Sequence, residues 1–237
     1  MLIAGGDEAG RGAVIGPLVI SIVSISNGKE SKLAKIGVRD SKMLTKRKRE
    51  FLFDEIYSLA EEINIYKITN NEINIAMSNK ISINELEALN FAKLIDSIKK
   101  RPEKIFLDSP DVISERFGVR VGFFSKNKII VDGVKYTKEE RKTKDKIKVV
   151  SQHKADSRYP VVSAASIISK VTRDKEIEHI IDKTGVAIGS GYPSDSYTIS
   201  AIRENLGNGT LMPYLRHEWH TIKNIRQLKI EDFLLKK

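Results

Sequence analysis

Ile3-Ala4-Gly5-Gly6-Asp7-Glu8-Ala9-Gly10-Arg11-Gly12 starts apolar, sets two acids side by side and then places an arginine between two glycines. A strand that finishes on carboxylates and turns through glycine suits a site where the backbone comes close to a ligand, since glycine has no Cβ and adopts positive φ. Taken alone, the same ten residues also read as a hairpin turn carrying two solvated acids. The remainder of the chain decides between the two.

Leu2 to Asp7 predicts a first strand, and Leu18 to Ile25 (LVISIVSI) a second, rich in β-branched residues alternating with serine. The link GRGAVIGP is short enough to make them antiparallel neighbours. Thr45 is placed to cap a helix over about Lys46 to Glu62, with Phe51, Leu52, Ile56, Leu59 and Ile63 at helical spacing. Lys46, Arg47, Lys48 and Arg49 crowd its first turn, where the helix dipole disfavours cations. They read either as a phosphate contact or as a solvated charge run. Asn64 to Thr69 predicts a strand and Glu72 to Met77 a short helix.

Ser82-Ile83-Asn84-Glu85 has capping-box spacing and opens a helix to about Lys99, with a core stripe of Leu86, Leu89, Phe91, Leu94, Ile95 and Ile98. Arg101-Pro102 ends it. Lys104 to Asp108 (KIFLD) is a buried strand finishing on an acid, and further strands fall around Ile129 to Val131 and over Lys146 to Ser151. The lysine-rich segment Lys135 to Lys148 reads as a solvated hairpin or a nucleic-acid contact. A helix follows from about Pro160 to Asp182. Its early Ser163, Ala164, Ala165 and Ser166 allow a close neighbour. After the loop Gly189-Ser190-Gly191-Tyr192-Pro193, Ser194 is placed to cap a helix to Leu206, and the C-terminus is mostly helical.

The 237 residues suffice for one large core, or one with a small appendage. Hydrophobic content of 41% beside 30% charged excludes a disordered chain. With 41 Lys plus Arg against 31 Asp plus Glu, the formal charge is +10, which favours a polyanionic partner such as nucleic acid. Cysteine is absent, so disulfides and thiolate metal sites are excluded and any metal must be held by oxygen or imidazole. The longest apolar run, Val14 to Ile25, is broken by Gly16 and Pro17 and is too short to span a bilayer. No basic residue precedes the apolar start, as a secretory signal would require, and a cytoplasmic protein is expected.

Asp7 and Glu8 close the first strand, Asp108 closes a later one, and Asp156 enters a helix. In an open α/β sheet such positions converge at one edge. Four carboxylates without cysteine select a hard cation, Mg2+ or Mn2+. Two such ions about 4 Å apart clamp the attacking water and the leaving oxygen of a phosphodiester. One obstacle is geometric: neighbouring residues of a regular strand point to opposite faces. A bend of the strand at the Ala9 to Gly12 turn is expected to bring both acids to one pocket.

Five segments together carry a resemblance: Gly5 to Gly12, Asp40-Ser41-Lys42, Phe106-Leu107-Asp108-Ser109, His153 to Asp156 with Tyr159 to Ile167, and Gly189 to Asp195. In this order they resemble the successive motifs of type 2 ribonuclease H in its archaeal form, over almost the whole chain. The resemblance implies an α/β fold, with a ribonuclease H-like mixed five-stranded sheet flanked by helices and a helical C-terminal portion. It implies a catalytic domain over 1–185 and helices over 186–237 packed on it. The activity it implies is that of a metal-dependent endoribonuclease. Such an enzyme hydrolyses RNA in RNA/DNA hybrids and cuts 5′ of ribonucleotides embedded in duplex DNA, leaving 3′-hydroxyl and 5′-phosphate ends.

Carried onto this chain, the resemblance makes Asp7, Glu8, Asp108 and Asp156 the metal-binding catalytic acids. Asp7 and Asp108 would be shared between ions, with Asp156 on the ion that activates water. Gly10, Arg11 and Gly12 would grip the ribonucleotide and sense its 2′-hydroxyl. Tyr192 would stack on the sugar at the DNA side, and Lys42 and Lys46 would contact phosphates. Ala13 and Ser196 stand where proline is common in the family, which bears on local loop shape. Other readings stay open: a junction resolvase or integrase of the same fold class, or a hybrid-binding module without catalysis. Tyr192 also reads as a loop aromatic covering the core, His153 as a ligand or base or else as structural or exposed, and Trp219 as packing rather than stacking on a base. At the end of the chain Gln227, Ile230, Phe233 and Leu234 have the spacing of a sliding-clamp-binding peptide, against a terminal helix that packs on its own domain. A monomer is expected.

Overall fold

The computed structural model describes residues 1–137, 139 and 145–234, the last seven through their backbone alone. Lys138, Arg141, Lys142 and Lys144 of the lysine-rich segment lie outside the described residues, as do the side chains of Ile230, Phe233 and Leu234. In chain order the elements are β1 (Leu2–Ala9), β2 (Leu18–Ser26), α1 (Glu30–Lys35), α2 (Lys46–Leu59), β3 (Glu62–Ile68), α3 (Asn70–Ser78) and α4 (Ile83–Ser97). They continue with β4 (Lys104–Asp108), α5 (Ser114–Phe124), β5 (Lys128–Val131), β6 (Lys146–Gln152), α6 (Pro160–Thr184), α7 (Ser196–Asn205) and α8 (His220–Leu234). No helix among the described residues is long and apolar enough to cross a membrane.

Two compact units form. The first comprises Met1–Ala9, Val19–Tyr66 and Asn84–Val171, and holds the sheet, in the order β3-β2-β1-β4-β6-β5. β1 runs antiparallel to β2 and parallel to β4, and β6 is parallel to both β4 and β5. The sheet is mixed, as expected, with six strands rather than five. The additional edge strand is β5, whose Ile129-Ile130-Val131 run pairs along β6 from Ile129↔Ile147 to Val131↔Val149.

Residue size on β1 sets how closely the layers approach. A Cβ added to Gly5 would lie 2.4 Å from the Val161 carbonyl carbon, so the backbone of α6 rests directly on the strand. One added to Gly6, on the opposite face, would lie 2.9 Å from the Phe91 ring of α4. The small residues early in α6 serve this approach. Around them pack Ile25, Leu33, Leu52, Ile56, Phe106 and Ile168, all buried.

Thr45 caps α2 as its position predicts, its side chain accepting from Lys48 N–H at 3.2 Å. Burial of Leu52 and Ile56 anchors that helix, each contributing about 1.5–3 kcal/mol. Phe51 departs from the expected stripe: it is exposed, with the Lys48 ammonium 4.6 Å from its ring centroid, and Ile63 falls in β3. A capping box not foreseen from the sequence opens α3, where Thr69 accepts from Glu72 N–H and Glu72 accepts from Thr69 N–H.

The second unit comprises Gly10–Leu18, Lys67–Ile83 and Thr172–Lys237. Its core gathers Val14, Ile15, Ile177, Ile188, Ile202 and Ile222. Ile15 pairs with Leu215 in an antiparallel bridge, so the turn after β1 is stitched to a segment 200 residues later. Arg173 and Arg216 are also fully buried here, the largest such side chains among the described residues.

Candidate active site

The parallel register of β1 on β4, Gly5↔Phe106 and Gly6↔Leu107, carries on to Asp7 and Asp108, which therefore share the face covered by α6. Glu8 belongs to the other face by alternation. Even so, one carboxylate oxygen from each of Asp7, Glu8 and Asp108 lies within 4.8 Å of the others. The strand does not bend to achieve this. β1 stays paired with β2 through Asp7↔Ser21, Glu8↔Ile20 and Ala9↔Val19, and no residue from Asp7 to Ala9 has positive φ. Instead Asp7 folds its short side chain along the strand, Oδ1 accepting from Glu8 N–H at 2.7 Å. The longer Glu8 arm covers the remaining distance.

Serines hold Asp7 in this posture. Ser169 Oγ donates to the Asp7 carbonyl at 3.0 Å, and the Ser166 hydroxyl hydrogen-bonds its carboxylate. Ser166 Oγ lies 2.9 Å from Ser41 Oγ, which ties in the Asp40-Ser41-Lys42 turn. That turn is fixed by Lys42 N–H donating to Asp40 Oδ1 at 2.9 Å. Asp108 Oδ1 accepts from Ala155 N–H at 2.7 Å. Asp156 is buried in the short 3-10 turn Ala155–Ser157, entered through Lys154 in the left-handed region. It does not join the triad of Asp7, Glu8 and Asp108, but its charge acts on Asp108.

Crowding of the acids is visible in their proton affinities. Burial, then Glu8 and Asp108, raise the Asp7 carboxyl well above the usual range, against hydrogen bonds from Ser166 and Glu8 N–H. Burial and Glu8 push Asp108 up to about 6, with the Ala155 N–H opposing and Asp156 adding. Asp156 is raised by burial and Asp40 and lowered by Lys42. For Lys42, burial favours the neutral amine, but Asp156, Asp40, Asp7 and Asp108 outweigh it and keep the ammonium charged.

The donor set fits a hard divalent cation. It is all oxygen, partly buried and mutually repulsive, and Glu8 Oε2 is buried without a hydrogen-bond partner. Buried carboxylates that repel one another are costly unless a cation compensates them. His153 is not part of the set: it is exposed, with its ring nitrogens 3.3 Å from the Ser109 and Val112 carbonyls.

The other predicted contacts, apart from the two lysines, lie in the second unit. Gly10 has φ +91°, Arg11 is half-buried, and Gly12 is exposed, with nothing within 4 Å of where a Cβ would stand. Tyr192 is half-buried, its ring centroid 4.5 Å from the Arg173 guanidinium carbon. Its loop is fixed by Asp195, whose carboxylate accepts from Ser190 N–H at 2.7 Å and Ser190 Oγ–H at 2.8 Å. Asp195, not Ser194, caps α7, accepting from Tyr197 N–H at 3.0 Å. Lys46, in the first unit, is the exposed first residue of α2, 3.9 Å from Glu50. Trp219 packs as expected, against the Arg216 guanidinium at 5.2 Å. Gln227 is exposed on α8, whose helical backbone continues through Ile230 and Phe233 to Leu234.

Sequence reasoning missed Ser41, Ser166 and Ser169 as supports of Asp7, and Arg173 and Arg216 altogether. The serines stood in plain view as small residues, without a sign of what they bond. An arginine in a helix that also carries Lys170, Asp174 and Lys175 looks solvated.

The ribonuclease HII family profile matches residues 4–222. Ribonuclease HII of Pyrococcus abyssi is 40% identical over 241 residues, covering 99% of this chain and 98% of the relative. Among solved structures, ribonuclease H2 of Pyrococcus horikoshii superposes with a TM-score of 0.80 at 39% identity, over 96% of this chain and 98% of that one. The Archaeoglobus fulgidus ribonuclease HII, solved as a complex with PCNA, gives 0.77 at 37% identity, over 92% and 95%. This chain belongs to the ribonuclease HII family, the metal-dependent endonucleases of ribonuclease H type 2.

Proposed function

We propose that this chain hydrolyses the RNA strand of RNA/DNA hybrids and cuts 5′ of ribonucleotides embedded in duplex DNA, leaving 3′-hydroxyl and 5′-phosphate ends. The convergence of Asp7, Glu8 and Asp108 at the ends of β1 and β4 carries this reading, with Asp156 acting on the same charges. Asp7, Glu8, Asp108 and Asp156 would hold Mg2+ or Mn2+, in a pair during turnover. A divalent ion there supplies a lowered pKa for its water and neutralises charge on the leaving oxygen. Lys42, held charged among the acids, offsets their repulsion of a polyanion and would contact a phosphate, with Lys46 as a second such contact. Gly12 leaves room for close approach of a ribose, Gly10 and Arg11 shape the turn around it, and Tyr192 offers a ring to the neighbouring sugar.

A duplex containing one ribonucleotide, incubated with Mg2+, Mn2+ or chelator, tests the reading. Cleavage 5′ of the ribonucleotide in metal alone is expected; tight binding without cleavage would remove the enzymatic assignment.

Metal affinity should depend on pH through the same acids. The metal-free protein keeps a proton on Asp108 below about pH 6, and a cation must displace it. Mn2+ affinity measured by calorimetry should therefore weaken as pH falls below 6, by up to about tenfold per pH unit for each proton displaced. An affinity unchanged between pH 5 and 8 would exclude Asp108 as a ligand.

A second reading concerns the tail. Gln227, Ile230, Phe233 and Leu234 lie at the end of α8, and the A. fulgidus relative was solved with PCNA. Both support docking of this tail on a replication sliding clamp, with the apolar positions entering a groove. Deleting residues 227–237 should abolish clamp binding in a pull-down and leave hydrolysis intact. Loss of folding or of hydrolysis would instead make the tail part of its own domain.

A further inference from the structure

We propose that Arg173 is the positioning residue of substrate recognition: from beneath, it locks the Gly10-Arg11-Gly12 turn and the Tyr192 loop into one arrangement, and Tyr192 reads the sugar only while that guanidinium supports its ring. The proposal rests on the reading of Tyr192 as a substrate contact.

Arg173 has no exposed surface, and its guanidinium meets the segment that follows β1, the Tyr192 loop and Asp174 of its own helix. Nη2 donates to the Ser190 carbonyl at 3.0 Å and the Ile15 carbonyl at 3.4 Å. The plane lies against Tyr192. A Cβ on Gly10 would stand 2.4 Å from Nε, and one on Gly191 would stand 2.8 Å from Nη2. One side chain thus touches the turn that follows β1 and both residues preceding Tyr192. Arg216, also fully buried, secures the same turn elsewhere, donating to the Arg11 carbonyl at 2.8 Å and the Gly16 carbonyl at 2.9 Å.

Stability alone does not account for Arg173. A buried guanidinium is costly unless fully paired, and an apolar side chain of similar volume often serves a core better. Here Nε and Nη1 are buried without a hydrogen-bond partner, and Asp174 stands 4.0 Å away. What arginine adds is a rigid plane that stacks on an aromatic ring while its edge bonds carbonyls, which neither lysine nor methionine reproduces. Asp195 fixes the loop at Ser190, between Gly189 and Gly191 of positive φ, and the guanidinium adds the support beneath the Tyr192 ring that those bonds do not supply. A ring fixed before the substrate arrives need not be ordered during binding.

A double-mutant cycle on the single-ribonucleotide duplex tests this, with kcat and KM measured for wild type, Y192A, R173K and R173K/Y192A, and melting followed for each. Y192A should lower kcat/KM by about 10–100-fold, as removal of a stacking ring does. R173K should lose a similar factor with its melting little changed, and the double variant should be no worse than Y192A within about threefold. Losses that multiply, or an R173K enzyme as active as wild type, would overturn the proposal even if Y192A is impaired. A harmless Y192A would instead remove the underlying reading of Tyr192, and the proposal with it. Should R173K fail to fold, R173M provides the same test, since methionine fills the slot without unpaired donors. It should remain folded and still lose activity, and full kcat/KM in R173M would overturn the assignment.

Discussion

Asp108→Asn should cut hydrolysis of a ribonucleotide-containing duplex by at least about a thousandfold while raising the melting temperature of the metal-free protein. The first effect follows from the proposed role of Asp108 as a charged ligand, whose cation would supply several kcal/mol of transition-state stabilisation. The second follows from the acids around it. Burial and Glu8 raise the folded-state pKa of Asp108 to about 6, so the folded protein binds more protons than the unfolded chain between the usual carboxylate range and that value. Stability is therefore fully present below the unfolded pKa and is lost as pH rises through about 6. At neutral pH the ionised carboxylate costs on the order of 1–2 kcal/mol after allowance for its partial exposure. Asparagine removes the charge and keeps an oxygen to accept the Ala155 N–H, so the local hydrogen bond survives. A gain of about 2–8 °C is expected in chelator. Excess Mn2+ should narrow or reverse the difference, because the wild type gains about 2.7 kcal/mol at a hundred times the dissociation constant and the variant does not. Retained turnover would exclude Asp108 as an essential ligand, and an unchanged melting point in chelator would refute the repulsion argument.

What was legible in the sequence was set by local physics. β2 and β4 were read nearly to the residue because β-branched and apolar runs bounded by turn residues have few other solutions. The Thr45 cap was legible for the same reason, being a bond between residues three apart. The acids were found because they sit where those runs end. Other features depend on partners far along the chain. Arg173 and Arg216 are buried because carbonyls 158 and 200 residues away accept their protons, and no helical periodicity records that. Phe51 fits the apolar spacing of α2, yet the buried face of that helix is filled by Leu52 and Ile56. The geometry of Asp7 and Glu8 was misjudged because side-chain length and a bond to the next N–H were left out of a rule about strand alternation. An acid that leans along its strand needs no bend in the backbone.

The two glycines around Arg11 should respond oppositely to alanine. Gly10 has φ +91°, where an L side chain is strained, and its added Cβ would stand 2.4 Å from Arg173 Nε and 2.8 Å from the Pro17 carbonyl oxygen. The first of these belongs to a side chain with no free space around it and the second to backbone, so neither yields easily. Strain and overpacking together are expected to cost about 2–5 kcal/mol in Gly10→Ala, a fall in melting temperature of about 5–15 °C, with activity lost through the displaced turn. Gly12 shows neither constraint: its φ is not positive and a Cβ would touch nothing. Gly12→Ala should therefore melt within about 2 °C of the wild type. If the empty space beside Gly12 is where a ribose comes to rest, the same methyl should raise KM or lower kcat/KM by about 10–100-fold, the cost of a steric mismatch at a binding surface. Kinetics and melting on both variants separate the roles. A Gly12→Ala enzyme with wild-type kinetics would remove that residue from substrate recognition, and a Gly10→Ala protein that melts normally would show that the turn does not rest on Arg173. Glycine is present twice in the motif for two unrelated physical reasons, one facing the protein interior and the other facing open space.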